Sequence, residues 1–96
     1  MAELKWTLEA VQSLREIHEY IAVNRPATAF RTIESIINKV ESLAASPELG
    51  HRLPAARRDD LRLLVYGHFR IPYVSTPNGA VTVLGVFHGL IFLPLK

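Results

Sequence analysis

The spacing of apolar residues changes near residue 60. Between residues 8 and 45 apolar residues recur at steps of three or four, as on one face of an α-helix, and beyond residue 60 they alternate with polar residues, as in a half-buried β-strand. The helical and strand patterns occupy separate parts of the chain, which predicts an α+β fold rather than alternating βα units. With 96 residues in total, we expect a single domain covering residues 1–96.

Two amphipathic helices are predicted ahead of the change. Thr7 stands at the N-cap position of the first helix, which ends near Asn24. Pro26 fits the first turn of the second helix, which runs for about 20 residues up to Ser46 and Pro47. Because the connection between them is so short, the two helices should fold back on each other as a helical hairpin.

Each helix carries one apolar stripe that has to be covered. The stripes consist of Val11, Leu14, Ile17 and Ile21 in the first helix and of Ala29, Ile33, Ile36, Ile37, Val40, Leu43 and Ala44 in the second. We expect Leu14 and Ile37 to be buried, so that replacing either one with alanine would cost about 2–5 kcal/mol of stability.

Four strands are predicted, one before the helices and three after them. Residues 2–6 alternate apolar and polar side chains and form the first strand. The other three strands span residues 61–66, 69–74 and 81–87, after a polar loop at residues 46–60. Short turns at Gly67-His68 and at residues 76–79 imply an antiparallel meander. We expect the helices to pack on one face of the sheet and to leave the other face to solvent or to a partner.

Two local features conflict with so simple a meander. Pro72 falls inside a predicted strand, which is tolerable only if its nitrogen faces no partner or lies at a bulge. Residues 90–95, Leu-Ile-Phe-Leu-Pro-Leu, are all apolar and follow the last predicted strand. Left in water they would form an exposed apolar patch, so we expect them in the core, in a self-association interface or under another chain.

The two halves of the chain carry opposite net charge. Residues 1–48 hold five basic and seven acidic side chains, whereas residues 49–96 hold six basic and two acidic ones, so that the net charge of +2 divides into −2 and +4. Three of the four histidines also lie in the second half. A basic C-terminal half favours an anionic ligand or an acidic protein as its partner.

Several classes of protein are excluded by what the sequence lacks. It contains no cysteine, which rules out disulfides, thiolate nucleophiles and cysteine metal sites. It shows neither a secretory leader nor an apolar stretch of the ~20 residues that a membrane helix needs, so we expect a cytoplasmic protein with no membrane partner. His51, His68 and His88 do not follow the spacing of a metal motif. We expect neither a metal nor another cofactor.

A set of short motifs runs through most of the chain in a fixed order. They are Trp6-Thr7, Leu14-Arg15-Glu16-Ile17, Tyr20-Ile21, Asn24-Arg25-Pro26, Arg52-Leu53-Pro54, Arg58, Leu61-Arg62, Phe69-Arg70-Ile71-Pro72-Tyr73 and Val83-Leu84-Gly85-Val86-Phe87-His88-Gly89. In order and spacing these motifs resemble the ParE branch of the RelE/ParE toxin superfamily of type II toxin–antitoxin systems. The resemblance covers residues 6–89.

This resemblance implies both a fold and a function. The fold would be RelE/ParE-like, with two helices packed on an antiparallel sheet. The function would be that of a toxin for growth inhibition, neutralised by a cognate ParD-like antitoxin, as in plasmid stabilization systems. ParE-like toxins are associated with inhibition of DNA gyrase, and RelE-like relatives cleave mRNA on the ribosome. Because the two branches share a fold, the fold does not choose between them.

The alternative of an mRNA endoribonuclease needs a particular set of side chains. Metal-independent cleavage of RNA requires a base, an acid and cations that stabilise the phosphorane. The resemblance would assign Arg70 and Arg62 as cations and His88 and Tyr73 as titratable groups. The set is incomplete, because the strand of Arg62 carries one basic residue rather than a cluster, and no arginine, histidine or tyrosine follows Gly89.

Each of these candidates also has a purely structural interpretation. Tyr73 alternates with apolar residues of its strand, which predicts a core aromatic residue. Arg70 has Asp59, Asp60 or a helix glutamate as candidate ion-pair partners, and His88 could serve only as a hydrogen-bonding group at a strand end. We therefore expect binding to another protein rather than catalysis, and no direct contact with nucleic acid.

An extended acidic antitoxin segment would meet basic and apolar side chains of the second half. The candidate residues for contact with the antitoxin or the target are Arg52, Arg57, Arg58, Arg62, Arg70, Leu90, Ile91 and Phe92. ParE relatives usually carry basic residues after the His-Gly pair, whereas this chain continues with an apolar tail. A third interpretation is therefore a weakened toxin that only binds its antitoxin, as a homo-oligomer or within a toxin–antitoxin hetero-oligomer.

Overall fold

The structure contains two α-helices, one over each of the two predicted apolar stripes. A computed structural model describes residues 3–53 and 60–89 of the chain. Helix α1 spans Leu8–Ala22, helix α2 spans Pro26–Glu41, and one turn of 3₁₀ helix follows at Ser42–Ala44. Pro26 occupies the start of α2 as predicted, where a missing N–H leaves no hydrogen bond unmade. The two helices contact each other and confirm the predicted helical hairpin.

Thr7 fixes the beginning of α1 to the sheet. Its hydroxyl oxygen accepts a hydrogen bond from the N–H of Ala10 at 3.1 Å, which confirms the predicted N-cap. The same hydroxyl donates to the carbonyl of Val83 at 2.9 Å, and the N–H of Thr7 donates to that carbonyl at 3.1 Å. One residue therefore sets both the start of the helix and its position over the sheet.

The sheet is mixed and contains the predicted meander at its centre. Its strands are β1 (Leu4–Trp6), β2 (His51–Arg52), β3 (Leu61–Tyr66), β4 (Phe69–Ser75), β5 (Val81–Val83) and β6 (Phe87–His88). Their order is β1-β5-β4-β3-β2, with β6 beside β4. Strands β3, β4 and β5 are antiparallel, which confirms the meander, whereas β1 runs parallel to β5. The α+β class is confirmed, with a parallel pair that the sequence did not predict.

A β-bulge interrupts the last strand of the predicted meander. Arg70 pairs with Phe87 and Tyr73 pairs with Val83, so two residues of β4 lie opposite three residues of the other segment. The extra residue ends β5 and separates it from β6. The prediction of one continuous strand at residues 81–87 was therefore wrong. Between the two pairs, the bulged segment has one residue more than β4, so regular pairing cannot continue through it.

Pro72 lies in β4 opposite this bulge. Its carbonyl accepts a hydrogen bond from the N–H of Leu84 at 2.9 Å. The nitrogen and carbonyl of one strand residue point to the same neighbour, so the proline nitrogen also faces the bulged segment, where the regular ladder is broken. The condition under which a proline is tolerated inside a strand is therefore met.

The predicted loop at residues 46–60 contains one of the strands. In β2, His51 pairs with Leu63 of β3 and Arg52 pairs with Arg62. Two residues are too few to show an alternating pattern, so periodicity could not reveal this strand.

One face of the sheet and the inner sides of the helices enclose the core. The buried cluster consists of Ala10, Ile36, Val40, Leu43, Leu64, Ile71, Tyr73, Val81, Val83 and Val86. Leu14 is half-buried against this cluster, and Ile37 is also half-buried, so the prediction that both are buried was wrong. In the case of Ile37, Ile36, Val40 and Leu43 already form one helical face, and Ile37 lies about 100° away around the helix.

The sheet face opposite the helices, here called the outer face, is apolar and partly closed. It presents Leu61, Leu63 and Val65 from β3 and Arg70, Pro72 and Val74 from β4. Pro72 is buried and Leu61 is 9% exposed, whereas Val65 is 42% exposed. Packing of the helices on one face is confirmed, but the expectation that the other face is left to solvent or a partner was wrong for Pro72 and Leu61, which are already buried. The open part lies around Val65.

Candidate functional site

The candidate site residues that the structure describes fall into two groups along the sheet. Arg62 and Tyr73 pair across β3 and β4, and Arg52 pairs with Arg62 from the other side. Arg70 and His88 lie towards the opposite end, where β4 meets β6. The remaining candidates, Arg57, Arg58, Leu90, Ile91 and Phe92, lie outside the described residues.

Tyr73 holds the chain segment that leads into β2. The side chain is fully buried. Its hydroxyl donates a hydrogen bond to the carbonyl of Pro47 at 2.6 Å and accepts one from the N–H of Gly50 at 2.8 Å. The predicted core position is confirmed, and both hydrogen-bonding functions of the hydroxyl are occupied by backbone groups. A proton donor in catalysis would need that hydroxyl free to reach a substrate.

Gly50 is the residue that allows this contact. A Cβ atom at this position would lie 2.6 Å from a ring carbon of Tyr73 and 2.9 Å from the carbonyl oxygen of Leu63. Both distances are too short for any side chain. The ring of Tyr73 can therefore approach the backbone only where a glycine stands.

Arg62 holds the same segment from the side of β3. One guanidinium nitrogen donates to the carbonyl of Gly50 at 2.8 Å and to that of Glu48 at 3.3 Å. We call Tyr73 and Arg62, with the backbone of residues 47–50 that they hold, the loop clamp. Within the clamp Arg62 acts on the protein itself, which leaves less of its hydrogen-bonding capacity for a ligand.

Burial raises the pKa of the Tyr73 hydroxyl above its usual value, while the hydrogen bond from Gly50 opposes the shift. In the unfolded chain the hydroxyl loses its proton near pH 10. Above that pH the folded state holds a proton that the unfolded state has released, so stability should fall as the pH rises towards the folded pKa. Urea unfolding between pH 8 and pH 11 would measure this loss. The Tyr73→Phe variant should show a smaller loss over the same range, and an equal loss would contradict the assignment.

Arg70 belongs to the outer face, opposite Val65. Its guanidinium donates a long hydrogen bond of 3.4 Å to the carbonyl of Gly67. Among the residues that the structure describes, no carboxylate lies within ion-pair distance of it; Asp59 is not among them. Arg70 therefore places a cation beside the exposed part of an apolar surface.

His88 lies at the edge of the sheet with two rings nearby. Its ring centroid is 5.2 Å from that of Phe69 and 6.3 Å from that of His68. His51 lies in β2, on the far side of β3 and β4. No group of three metal-ligating side chains occurs among residues 3–53 and 60–89.

The four nuclease candidates do not converge on one point. Arg62 and Tyr73 face each other in the loop clamp, and Arg70 lies three residues before Tyr73 along β4. That spacing separates their backbones by about 10 Å. Arg70 also lies on the face of the sheet opposite to Tyr73, since side chains three apart in a strand point to opposite faces. These four described residues therefore do not form the closely spaced set of acid, base and cation that phosphodiester cleavage needs.

Sequence patterns missed one surface feature, a groove between α1 and β6. It has a volume of about 360 Å³ and is lined by Ser13, Glu16, Ile17, Tyr20, Ile21, Val86, Phe87 and His88. Its floor is apolar, and polar groups lie at its rim. We call it the α1–β6 groove. No motif could reveal it, because it lies between residues of α1 and residues of β6 that are far apart in the sequence.

Two solved structures share this architecture. A chain of the chromosomal ParDE toxin–antitoxin system from P. aeruginosa superposes with a TM-score of 0.77 at 23% identity, over 93% of this chain and 97% of that one. A chain of the toxin–antitoxin complex RelBE2 from Mycobacterium tuberculosis superposes with a TM-score of 0.67 at 20% identity, over 91% and 96% of the two chains. At these identities the likeness shows a common fold.

The sequence itself matches one family over nearly its whole length. A search of curated protein sequences gave no match. No helix in the described part of the chain is long and apolar enough to cross a membrane. The model of the family described as the ParE toxin of the type II toxin–antitoxin system parDE matches residues 4–90. The fold, the order of motifs and this match agree, and the chain belongs to the ParE toxin family of type II toxin–antitoxin systems.

Proposed function

We propose that this toxin inhibits growth by binding DNA gyrase and that a cognate antitoxin neutralises it. The observation that carries the proposal is the dispersal of the candidate nuclease residues. Arg62 and Tyr73 bind the backbone of their own chain, and Arg70 lies on the other face of the sheet. A protein that acts by binding needs no convergent acid and base, and gyrase is the target that the ParE resemblance implies.

The surface around Arg70 and Val65 supports an antitoxin as partner. Val65 is 42% exposed, and Arg70 carries a positive charge next to it. An extended segment with apolar anchors and carboxylates would complement both features. The two similar structures come from a ParDE system and from a RelBE2 toxin–antitoxin complex, which supports the same kind of partner.

A supercoiling assay with purified gyrase tests the target. Toxin that has been refolded free of antitoxin should inhibit supercoiling of relaxed plasmid, and an equimolar amount of antitoxin should restore it. Transcripts should stay intact after induction of the toxin in cells. Uninhibited gyrase at a large excess of folded toxin would contradict the proposed target, and rapid mRNA cleavage that Arg70→Ala abolishes would favour the nuclease instead.

Binding of the antitoxin can be tested separately on the outer face. Arg70→Ala should weaken the complex at least tenfold, since the variant leaves an antitoxin carboxylate without its partner. Arg31→Ala is the matched control, because Arg31 is exposed on α2 and, among the described residues, its guanidinium forms a hydrogen bond only with Thr28. Calorimetric titration of both variants would measure the difference. Equal affinities would place the antitoxin on another surface.

A further inference from the structure

The α1–β6 groove begins where the described chain ends. Phe87 and His88 form part of its wall, and Gly89 follows directly. The next six residues, at positions 90–95, are Leu-Ile-Phe-Leu-Pro-Leu. An apolar groove and an apolar segment that must be kept from water are therefore adjacent in the chain.

We infer that residues 90–95 of the same chain fill the α1–β6 groove. The segment is apolar at every position and follows the wall of the groove after one residue, Gly89. Docking of this kind loses less entropy than binding of a separate chain, because the effective concentration of a tethered segment is high. This inference does not depend on the target or the antitoxin.

Gly89 has a backbone conformation that allows the chain to change direction after β6. Its φ is 75°, in the left-handed region that favours glycine, and a Cβ atom there would meet nothing within 4 Å. Its N–H donates to the carbonyl of His68 at 2.7 Å, which fixes the point of departure. A left-handed residue at this point lets the chain turn back along the wall that it has just formed.

The dimensions of the groove suit a segment of this length. Along α1 the lining runs from Ser13 to Ile21, which corresponds to about 12 Å of helix. Six extended residues reach about 20 Å, so they can cover that distance after a turn. A cavity of about 150 Å³ accommodates a benzene ring. The 360 Å³ of the groove therefore offers room for about two large apolar side chains.

The surfaces of the groove match the segment in polarity. Ile17, Ile21 and Phe87 are only half-buried, although they lie side by side. Among the described strands, β6 pairs with β4 alone, and both residues of β6, Phe87 and His88, line the groove. Apolar side chains would cover the floor, and backbone groups of the segment have a strand edge within reach.

The absence of cysteine makes a direct test possible. Glu16 lies at the groove, and Glu34 is an exposed glutamate on α2 away from it. The double variant Glu16→Cys with Phe92→Cys should form an intramolecular disulfide at least tenfold faster than the control Glu34→Cys with Phe92→Cys. Mass spectrometry at low protein concentration would measure both rates. Equal rates, or a disulfide between two chains, would overturn the inference.

A second measurement does not depend on the engineered cysteines. Full-length protein and a chain ending at Gly89 are compared by fluorescence of 8-anilinonaphthalene-1-sulfonate, which reports exposed apolar surface. Removal of a docked segment uncovers the groove, so fluorescence should rise although six apolar residues have been deleted. A fall would show that the segment was itself the exposed surface, and would overturn the inference.

The variant Ile17→Asp in the full-length chain should raise fluorescence in the same way, and unchanged fluorescence would contradict docking.

Discussion

Replacement of Tyr73 with phenylalanine is expected to lower the free energy of unfolding by about 2–4 kcal/mol. The ring would remain in the core, but the N–H of Gly50 and the carbonyl of Pro47 would lose the hydroxyl that satisfies them. A buried backbone group without a partner costs about 1–3 kcal/mol, which applies to the N–H of Gly50, and the part-buried carbonyl of Pro47 adds a smaller loss. Urea unfolding followed by circular dichroism measures the change.

Tyr66→Phe is the matched control for this prediction. Tyr66 is half-buried in β3, and no hydrogen bond of its hydroxyl is found among the described residues. Its replacement should change stability by no more than about 0.5 kcal/mol. Similar losses of stability for the two variants would show that the hydroxyl of Tyr73 contributes no more to the free energy of unfolding than the hydroxyl of Tyr66 does.

The loop clamp also explains how the position of β2 is set. Tyr73 and Arg62 both bind the backbone of residues 47–50, immediately before His51 and Arg52 pair with β3. In Tyr73→Phe the segment should loosen first, because the variant removes its attachment to the core. Hydrogen exchange of the amide of Gly50 should then be faster by more than the change in global stability explains.

Much of the fold is predictable because it rests on local chemistry. Thr7 caps α1, Pro26 starts α2, and the alternation in residues 61–66 gives β3 with the same bounds. These signals act over a few residues and need no knowledge of distant contacts. The parallel pairing of β1 with β5 joins residues 77 positions apart, and periodicity within a strand contains no information about its neighbour.

The bulge is intermediate between the features that local chemistry predicts and the distant pairings that it does not predict. Pro72 inside a strand is a local signal that the regular ladder fails near it. The sequence alone does not say which neighbouring strand contains the extra residue, because that depends on the pairing of Tyr73 with Val83 and of Arg70 with Phe87. A proline in the middle of a predicted strand is therefore a reason to expect a bulge in an adjacent one.

The candidate site was harder to predict than the fold. Residue type identified Arg62, Arg70, Tyr73 and His88 as able to bind or transfer protons, but type does not say which face a side chain occupies. The contact between Gly50 and Tyr73 spans 23 positions and depends on a glycine that makes no pattern. A useful signal was present nonetheless, since a tyrosine at a core position needs a hydrogen-bond partner for its hydroxyl.

Replacement of Ile36 with alanine is expected to cost about 2–5 kcal/mol, as large-to-small changes at fully buried positions do. Ile36 is 0% exposed and belongs to the buried cluster between α2 and the sheet. The neighbouring Ile37→Ala is the matched control, because it removes the same atoms from a half-buried position. It should cost less than half as much, since fewer apolar contacts are lost and no enclosed cavity forms. Denaturant unfolding of both variants measures the difference, and an equal or larger loss for Ile37→Ala would mean that α2 is rotated about its axis relative to the packing described.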